Sequence, residues 1–298
     1  MKKRLPTSIA ILIITIGFVL LRQFSVLFFD ALVLSIMLGS IIEMVRANKK
    51  QNKKIDLGLL LIVPIVECLI FNLAKGKEII LYNIVLVLFS ILYLLTVEIF
   101  IYGKNRKNNI EQDAEEINAH LFDRTKNTLM IFAYPILPLV FMFVLNHIGY
   151  ELGYLAIVLM FTVAMMTDTF AYLIGCGFGK RKFIPEVSPK KSIAGVVGGF
   201  IGGIIGVALV FVFFYFTNWF IILNDANLTT SIVAFALIGV IGSYANQLGD
   251  LIASAYKRKV GIKDFSNIFP GHGGFMDRVD GMMFVACVVF VALSLFFV

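Results

Sequence analysis

Apolar residues run along this chain in long unbroken blocks, and the stretch 79–102 is one example. The short alternating runs of a soluble sheet, or of an outer-membrane barrel strand, are not found. A spanning helix needs about 20 mostly apolar residues. On that rule the pattern predicts nine transmembrane helices, near 5–22, 24–45, 56–74, 79–102, 128–147, 152–174, 193–216, 230–249 and 281–298. The first two share only a tight connection at Arg22-Gln23. The basic start followed by an apolar run looks like a signal peptide. No small-x-small cleavage site follows it, so it is read as a transmembrane helix.

Polar connections orient the spans. Segments 1–4, 46–54, 103–127, 175–191 and 250–280 hold 23 of the 26 Lys and Arg residues, and the alternate connections hold only Arg22, Lys75 and Lys77. Lys and Arg accumulate on the cytoplasmic side of membrane proteins. The expected topology therefore has the N-terminus in the cytoplasm and the C-terminus outside. Within 103–127, Ile110, Ala114, Ile117 and Leu121 recur at helical spacing among acidic residues, which predicts a short amphipathic helix on that face.

Composition agrees with this picture. The chain has 298 residues, 59% of them hydrophobic and 15% charged, with a mean hydropathy of +0.92. Soluble domains average roughly 45–50% apolar and about 25% charged residues. A soluble enzyme, a disordered chain and a secreted disulfide scaffold are excluded, leaving an all-α polytopic membrane protein. Cys68, Cys176 and Cys287 lie in or beside apolar stretches without metal-site spacing, so packing is their expected role. The net charge of +7 is assigned to orientation and anionic headgroups, not to nucleic acid.

Candidate chemistry is concentrated in 250–280. This segment combines four aspartates, five basic residues and the turn Pro270-Gly271-His272-Gly273-Gly274. Ionised carboxylates at a membrane boundary are costly unless paired or metal-bound. Asp277 and Asp280 stand three apart at the predicted start of the last helix. They share a face and can converge on a cation, or simply favour the helix dipole. Asp250, at the end of the eighth span, completes an oxygen-ligand set. Carboxylates without Cys or His suit Mg²⁺, which binds through one or two carboxylates together with substrate phosphates. Lys257, Arg258, Lys263 and Arg278 are placed to neutralise phosphate. Gly273 and Gly274 let backbone N–H groups approach an anion. His272 is open to base, phosphate-donor and structural roles, with hydrogen bonding favoured.

A second constellation lies at 167–199. Asp168 falls inside an apolar span, and Ser188, Lys190, Lys191 and Ser192 precede the seventh predicted helix as an anion cradle. Glu43 sits near a cytoplasmic helix end, where it is expected to join a polar cavity. Glu67 and Glu98 receive no role, and His120 and His147 are background. These residues together describe a metal- and phosphate-binding site at the cytoplasmic interface, suited to a substrate with one end in lipid.

The stretch Ser254-x2-Lys257-Arg258-x4-Lys263-Asp264-x-Ser266-x3-Pro270-Gly-His-Gly-Gly-x2-Asp277-Arg278-x-Asp280 closely resembles the signature of phosphatidate cytidylyltransferases, the CDP-diacylglycerol synthases. Asp168-Thr-x-Ala-Tyr-x2-Gly-x2-Phe-Gly-Lys and Ser188-Pro-Lys-Lys-Ser are similar to further family elements. The resemblance covers the C-terminal half. One departure stands out: Ile193-Ala194-Gly195 replaces the usual Trp-Glu-Gly, so no acid occupies position 194. The chain divides accordingly into N-terminal helices and loop, 1–127, and a catalytic region, 128–298, carrying the signature at 254–280.

The resemblance implies that CTP and phosphatidate give CDP-diacylglycerol and pyrophosphate at the cytoplasmic face of the cell membrane. It implies Mg²⁺ on Asp250, Asp277 and Asp280, with room for a second cation, and a homodimer. Lys257, Arg258, Lys263 and Asp264 join Asp250 and Asp277 as expected catalytic residues. Ser188, Lys190, Lys191, Ser254, His272, Gly273, Gly274, Arg278 and Asp168 are the expected substrate-binding residues. A CTP-dependent polyprenol or phytol kinase and an ion-coupled transporter are the competing readings.

Overall fold

The computed structural model describes residues 4–73, 85, 88–90, 92, 93, 96, 114–217 and 227–297. Helices α1 (Arg4–Leu21), α2 (Val26–Lys49) and α3 (Leu57–Leu73) open the chain. Helix α4 (Ala114–Ile131) runs through a π-turn at Phe132–Ile136 into α5 (Leu137–His147). Then follow α6 (Tyr150–Phe178), α7 (Ile193–Thr217), α8 (Leu228–Lys259), the short α9 (Met276–Val279) and α10 (Met282–Phe297). No strand is present among the described residues, so the all-α expectation holds.

Six helices are long and apolar enough to cross a membrane: Val26–Lys49, Asp123–His147, Tyr150–Phe178, Ile193–Thr217, Leu228–Lys259 and Met276–Phe297. Two shorter apolar helices, Ile9–Leu21 and Leu57–Leu73, occupy two more of the predicted spans. The ninth, 79–102, lies largely outside the described residues. The amphipathic element expected within 103–127 falls partly in α4, but the side chains of Ile110, Ala114, Ile117 and Leu121 lie outside the described set, as do those of Glu98 and His120.

Several helices continue beyond their apolar stretches. The eighth predicted span stops at 249, yet α8 runs to Lys259, and α6 runs to Phe178. Hydropathy marks where nonpolar side chains end, whereas the backbone ladder persists into water. Lys257, Arg258 and Lys259 in the last turn of α8 are favourable there, because the helix C-terminus carries partial negative charge. The last helix begins ahead of its predicted span, at α9, and passes through a turn at Asp280-Gly281 into α10.

The most extensive packing joins α6 to α7, with α8 against α7 and α10, and α10 against α5 and α6. Glycines line the α7 face, and their missing side chains let the backbones approach closely. A Cβ at Gly198 would lie 2.7 Å from Ile174 Cβ and 2.8 Å from Phe170 O. Large apolar side chains such as Ile201, Leu209, Phe213, Val233 and Ile241 point outward, as lipid-facing helices require.

At the end remote from 250–280, buried polar groups tie the N-terminal helices to this bundle. Arg22 is 1% exposed; it donates to Asn146 Oδ1 at 2.6 Å and to the carbonyls of Asn146 (2.9 Å) and Tyr150 (3.1 Å). Asp30 accepts from Asn146 and Asn72, both at 2.8 Å, and meets His147 Nε2 at 2.9 Å. His147 is therefore part of a structural network. Arg22 binds the Asn146 carbonyl that the end of α5 leaves open and the Tyr150 carbonyl at the start of α6, so it is not a free charge reporting orientation.

Gly198→Ala is expected to force α6 and α7 apart and cost about 1–3 kcal/mol of stability. A lowered melting temperature in detergent would show it; an unchanged one would contradict the close-packing account.

Candidate active site

The extension of α8 decides the register of the site. Asp250, Ser254 and Lys257 stand at i, i+4 and i+7, on one face of a continuous helix. Ser254 Oγ donates to Asp250 Oδ1 at 3.3 Å, and Asp250 Oδ2 pairs with Lys191 Nζ at 2.6 Å. Lys191 also donates to the Gln247 carbonyl at 3.4 Å, which fastens the 180–192 loop to α8. A second tie comes from Arg258 Nε to the Val187 carbonyl at 3.3 Å.

Asp277 is the centre of the signature loop. Its Oδ1 accepts from Lys257 Nζ at 2.7 Å, and its Oδ2 accepts from the N–H groups of Phe265 (2.9 Å) and Gly274 (3.0 Å). With its side chain only 5% exposed, this carboxylate is committed to holding α8 and both limbs of the loop together. The turn between the limbs depends on Gly271 and Gly273, whose φ of 79° and 81° other residues adopt only with strain. The His272 N–H donates to the Phe269 carbonyl at 2.8 Å, and the Phe269 N–H to the Gly273 carbonyl at 2.9 Å.

Glu43 closes the loop from the other side. Fully buried in α2, it accepts from Ser266 Oγ at 2.5 Å, from the Phe275 N–H at 3.0 Å and from the Met276 N–H at 2.9 Å. Its position near a helix end pointed to a polar role; its partners, 223 to 233 residues away, have no sequence signal.

Three cavities surround these groups. A polar one of about 620 Å³ is lined by Asp168, Lys182, Lys190, Lys191, Ser192, Gln247 and Asp250 among others. A second, of about 420 Å³, has Asp168, Asn246, His272, Arg278 and Asp280 on its polar side and Ile11, Leu12 and Phe161 on the other. The third, about 340 Å³, is largely apolar, with Ile14, Phe18, Leu32, Phe269 and Phe275 in its wall and Arg278 at its polar margin. Asp168 borders both polar-lined spaces, and Arg278 borders the second and third. The carboxylates of Asp168, Asp250 and Asp280 are mutual neighbours.

Most expected residues converge here, some in the cavity walls and others in the framework around them. Asp168, Asp250, Asp280, Lys190, Lys191, His272 and Arg278 line the cavities. Lys257, Ser254, Gly273, Gly274 and Asp277 build the framework. Lys263 and Asp264 are exposed, border none of the three cavities and make no ion pair among the described residues. Ser188 lies in the turn after Ile184 without lining a cavity, whereas Ser192 caps α7 by accepting from the Gly195 N–H at 3.1 Å. Glu67 is buried in α3 and borders none of these spaces.

Sequence reasoning missed Lys182, Asn246, Gln247 and Tyr134. Asn246 donates to Asp168 Oδ1 at 2.7 Å, and amides at the end of an apolar span were the available signal. Tyr134 is brought near Asp280, Asp250 and Asp277 by the π-turn. Pro135 disfavours helical geometry at the preceding residue, and Tyr134 adopts φ −152°, ψ 106°. Outside the spans, Lys53 sits with Lys259 and Lys126. Burial, followed by repulsion from those two, holds its ammonium below the ordinary lysine range.

Among the described residues no group of three or more His, Cys, Asp or Glu side chains is arranged to hold a metal by itself. The donor chemistry nonetheless fits a hard cation sharing its shell with phosphate. Asp280 Oδ1 accepts from the Gly281 N–H at 2.9 Å, and the second oxygens of Asp168 and Asp280 accept no hydrogen bond from described residues. Asp277 fits less well, since Lys257 and two N–H groups already occupy it.

Asp277→Asn removes the charge partner of a buried ammonium, so a loss of about 2–3 kcal/mol of stability is expected. Melting in detergent measures it. Wild-type stability would show that Asp277 does not hold the loop.

A family model described as the cytidylyltransferase family matches residues 2–296. Relatives called phosphatidate cytidylyltransferase include one from Haemophilus influenzae, 38% identical over 146 residues, which is 49% of this chain and 47% of that protein. One from Aquifex aeolicus is 38% identical over 165 residues, 55% of each chain, and one from Bacillus subtilis is 40% identical over 134 residues, 45% of each. The chain spans about half the length of the curated relatives it matches. With the family model covering nearly its whole length, and the signature loop assembled around Asp277, this chain belongs to the cytidylyltransferase family.

Proposed function

We propose that this protein transfers the cytidylyl group of CTP to phosphatidate, forming CDP-diacylglycerol and pyrophosphate. The observation that carries this reading is the sequence of cavities. A lysine-lined polar space meets, at Asp168, a space bordered by Arg278, and that space adjoins an apolar one. A water-soluble triphosphate and a lipid phosphate would meet there without the acyl chains leaving an apolar environment. The relatives' names support the same chemistry.

CTP occupies the polar cavity, where Lys182, Lys190 and Lys191 neutralise the triphosphate. Phosphatidate places its phosphate beside Arg278 and His272. Its phosphate oxygen attacks the α-phosphorus of CTP, the new P–O bond forms, and the α–β bridge breaks to release pyrophosphate. The nucleophile is already an anion, so no general base is needed and His272 serves as a hydrogen-bonding group. Positioning and charge neutralisation carry the catalysis, as is general for phosphoryl-type transfer. Asp280 and Asp168, each with an oxygen that accepts no hydrogen bond from described residues, would hold Mg²⁺ with Asp250 beside them, and Mg²⁺ would offset charge developing on the phosphates.

The charge asymmetry of the connections supports nine spans, with the N-terminus and the active site on the cytoplasmic side of the cell membrane and the C-terminus outside. The 1–127 and 128–298 division follows the extent of the resemblance, from which a homodimer is also taken.

Detergent-purified protein given labelled CTP and phosphatidate is expected to yield CDP-lipid and an equal amount of pyrophosphate, and none once EDTA removes Mg²⁺. Release of CDP with a phosphorylated lipid alcohol would identify a kinase and overturn the proposal. No turnover by folded protein would equally overturn it.

A further inference from the structure

Helix α2 is remote in sequence from the signature, yet one face of it grips the loop at a single point. Gly39 and Glu43, four residues apart, share that face. At Gly39 the ring of Phe275 lies where a side chain would be: a Cβ there would stand 2.7 Å from Phe275 Cγ. Glu43 then takes the N–H of Phe275 and of Met276, while also accepting from Ser266 Oγ. Phe275 also stacks edge-on against Phe269, with ring centroids 5.0 Å apart.

The gripped residue is not only a loop element. Phe275 and Phe269 form part of the wall of the apolar cavity that Arg278 borders. Arg278 is tied to Phe275 by one helical turn, its N–H donating to the Phe275 carbonyl at 3.0 Å. The position of Phe275 therefore sets both the wall against which an alkyl chain would lie and the guanidinium beside the anionic headgroup. Neither Gly39 nor Glu43 lines the lysine-rich cavity, whose walls come from α6, α7, α8 and the 180–192 loop.

We infer that Gly39 and Glu43 are positioning residues for the lipid subsite: by fixing Phe275, they place the apolar wall and Arg278 to receive a phosphorylated lipid. This rests on the assignment of CTP and phosphatidate above. Glutamate is required because three donors converge on its two oxygens. A glutamine offers one oxygen, and its NH₂ group would oppose at least one N–H. The assignment makes α2 part of substrate recognition, although it lies in the half of the chain that the signature does not reach.

The test compares KM for phosphatidate and for CTP in Glu43→Gln, Gly39→Ala and Phe275→Leu. The last keeps both backbone N–H groups on Glu43 and alters only the wall. Each variant is expected to raise KM for phosphatidate by about tenfold or more, the scale of one lost charged hydrogen bond or a misplaced contact, with KM for CTP within about twofold. A merely structural role would move both constants together, and that result would overturn the inference. So would wild-type phosphatidate constants in Phe275→Leu. Equilibrium binding of phosphatidate in mixed micelles, without CTP, separates the two claims. Wild-type protein that binds the lipid but makes no CDP-lipid defeats the reaction alone. Glu43→Gln protein that binds it as tightly as wild type defeats the role of Glu43.

Discussion

A buried carboxylate must be satisfied by fixed donors, and Asp277 meets that requirement in a way that organises the whole end of the bundle around 250–280. Its three donors come from α8 and from both limbs of the loop between α8 and α9. Lys257 reaches it only because α8 continues ten residues past its apolar stretch. The loop closes only because Gly271 and Gly273 turn the backbone through left-handed geometry. Removing any of these leaves a charge or a donor buried without a partner, which costs far more than a surface contact. The loop is thus held by these polar contacts together with its own apolar residues, of which Val260 and Phe265 are buried in the core.

The same constraint explains the division between the cavities. Asp168, Asp250 and Asp280 would repel one another if nothing intervened. Lys191 balances Asp250, and Asn246 hydrogen-bonds Asp168. This leaves carboxylate oxygens facing the junction of two spaces of different character, one rich in lysine and one bordered by Arg278 and apolar walls. Such a junction suits the proposed reaction, in which a soluble nucleotide and a membrane-bound phosphate would approach each other with their charges offset on both sides.

Rigidity for this arrangement comes from two unrelated sources. Along the bundle, α7 presents glycines to α6, and close van der Waals contact replaces the hydrophobic driving force that lipid does not provide. At the far end, Arg22, Asp30, Asn146 and His147 form a hydrogen-bonded network that fixes α2 against α3 and α5. With α2 held there, Glu43 at its other end is delivered to the signature loop at a defined height.

The sequence by itself determined that the chain is a helical membrane protein, where most spans lie, and in which segment carboxylates, basic residues and glycines concentrate. These are properties of composition and short spacing: blocks near 20 apolar residues, charge that accumulates on alternate connections, and a dense motif between 254 and 280. Asp250, Asp168, Lys191 and Arg278 were legible because charged groups beside apolar stretches are costly without a purpose. Only the tertiary structure decided what each touches. Asp277 reads as a cation ligand in sequence, yet its oxygens are taken by Lys257 and two N–H groups. Lys263 and Asp264 sit inside the motif but stand in solvent. Glu43 was expected only to join a polar cavity, and folding brings it to Phe275 across 232 residues. The reason is physical: spacing along a helix fixes which side chains share a face, but which faces meet depends on packing between segments far apart in the chain.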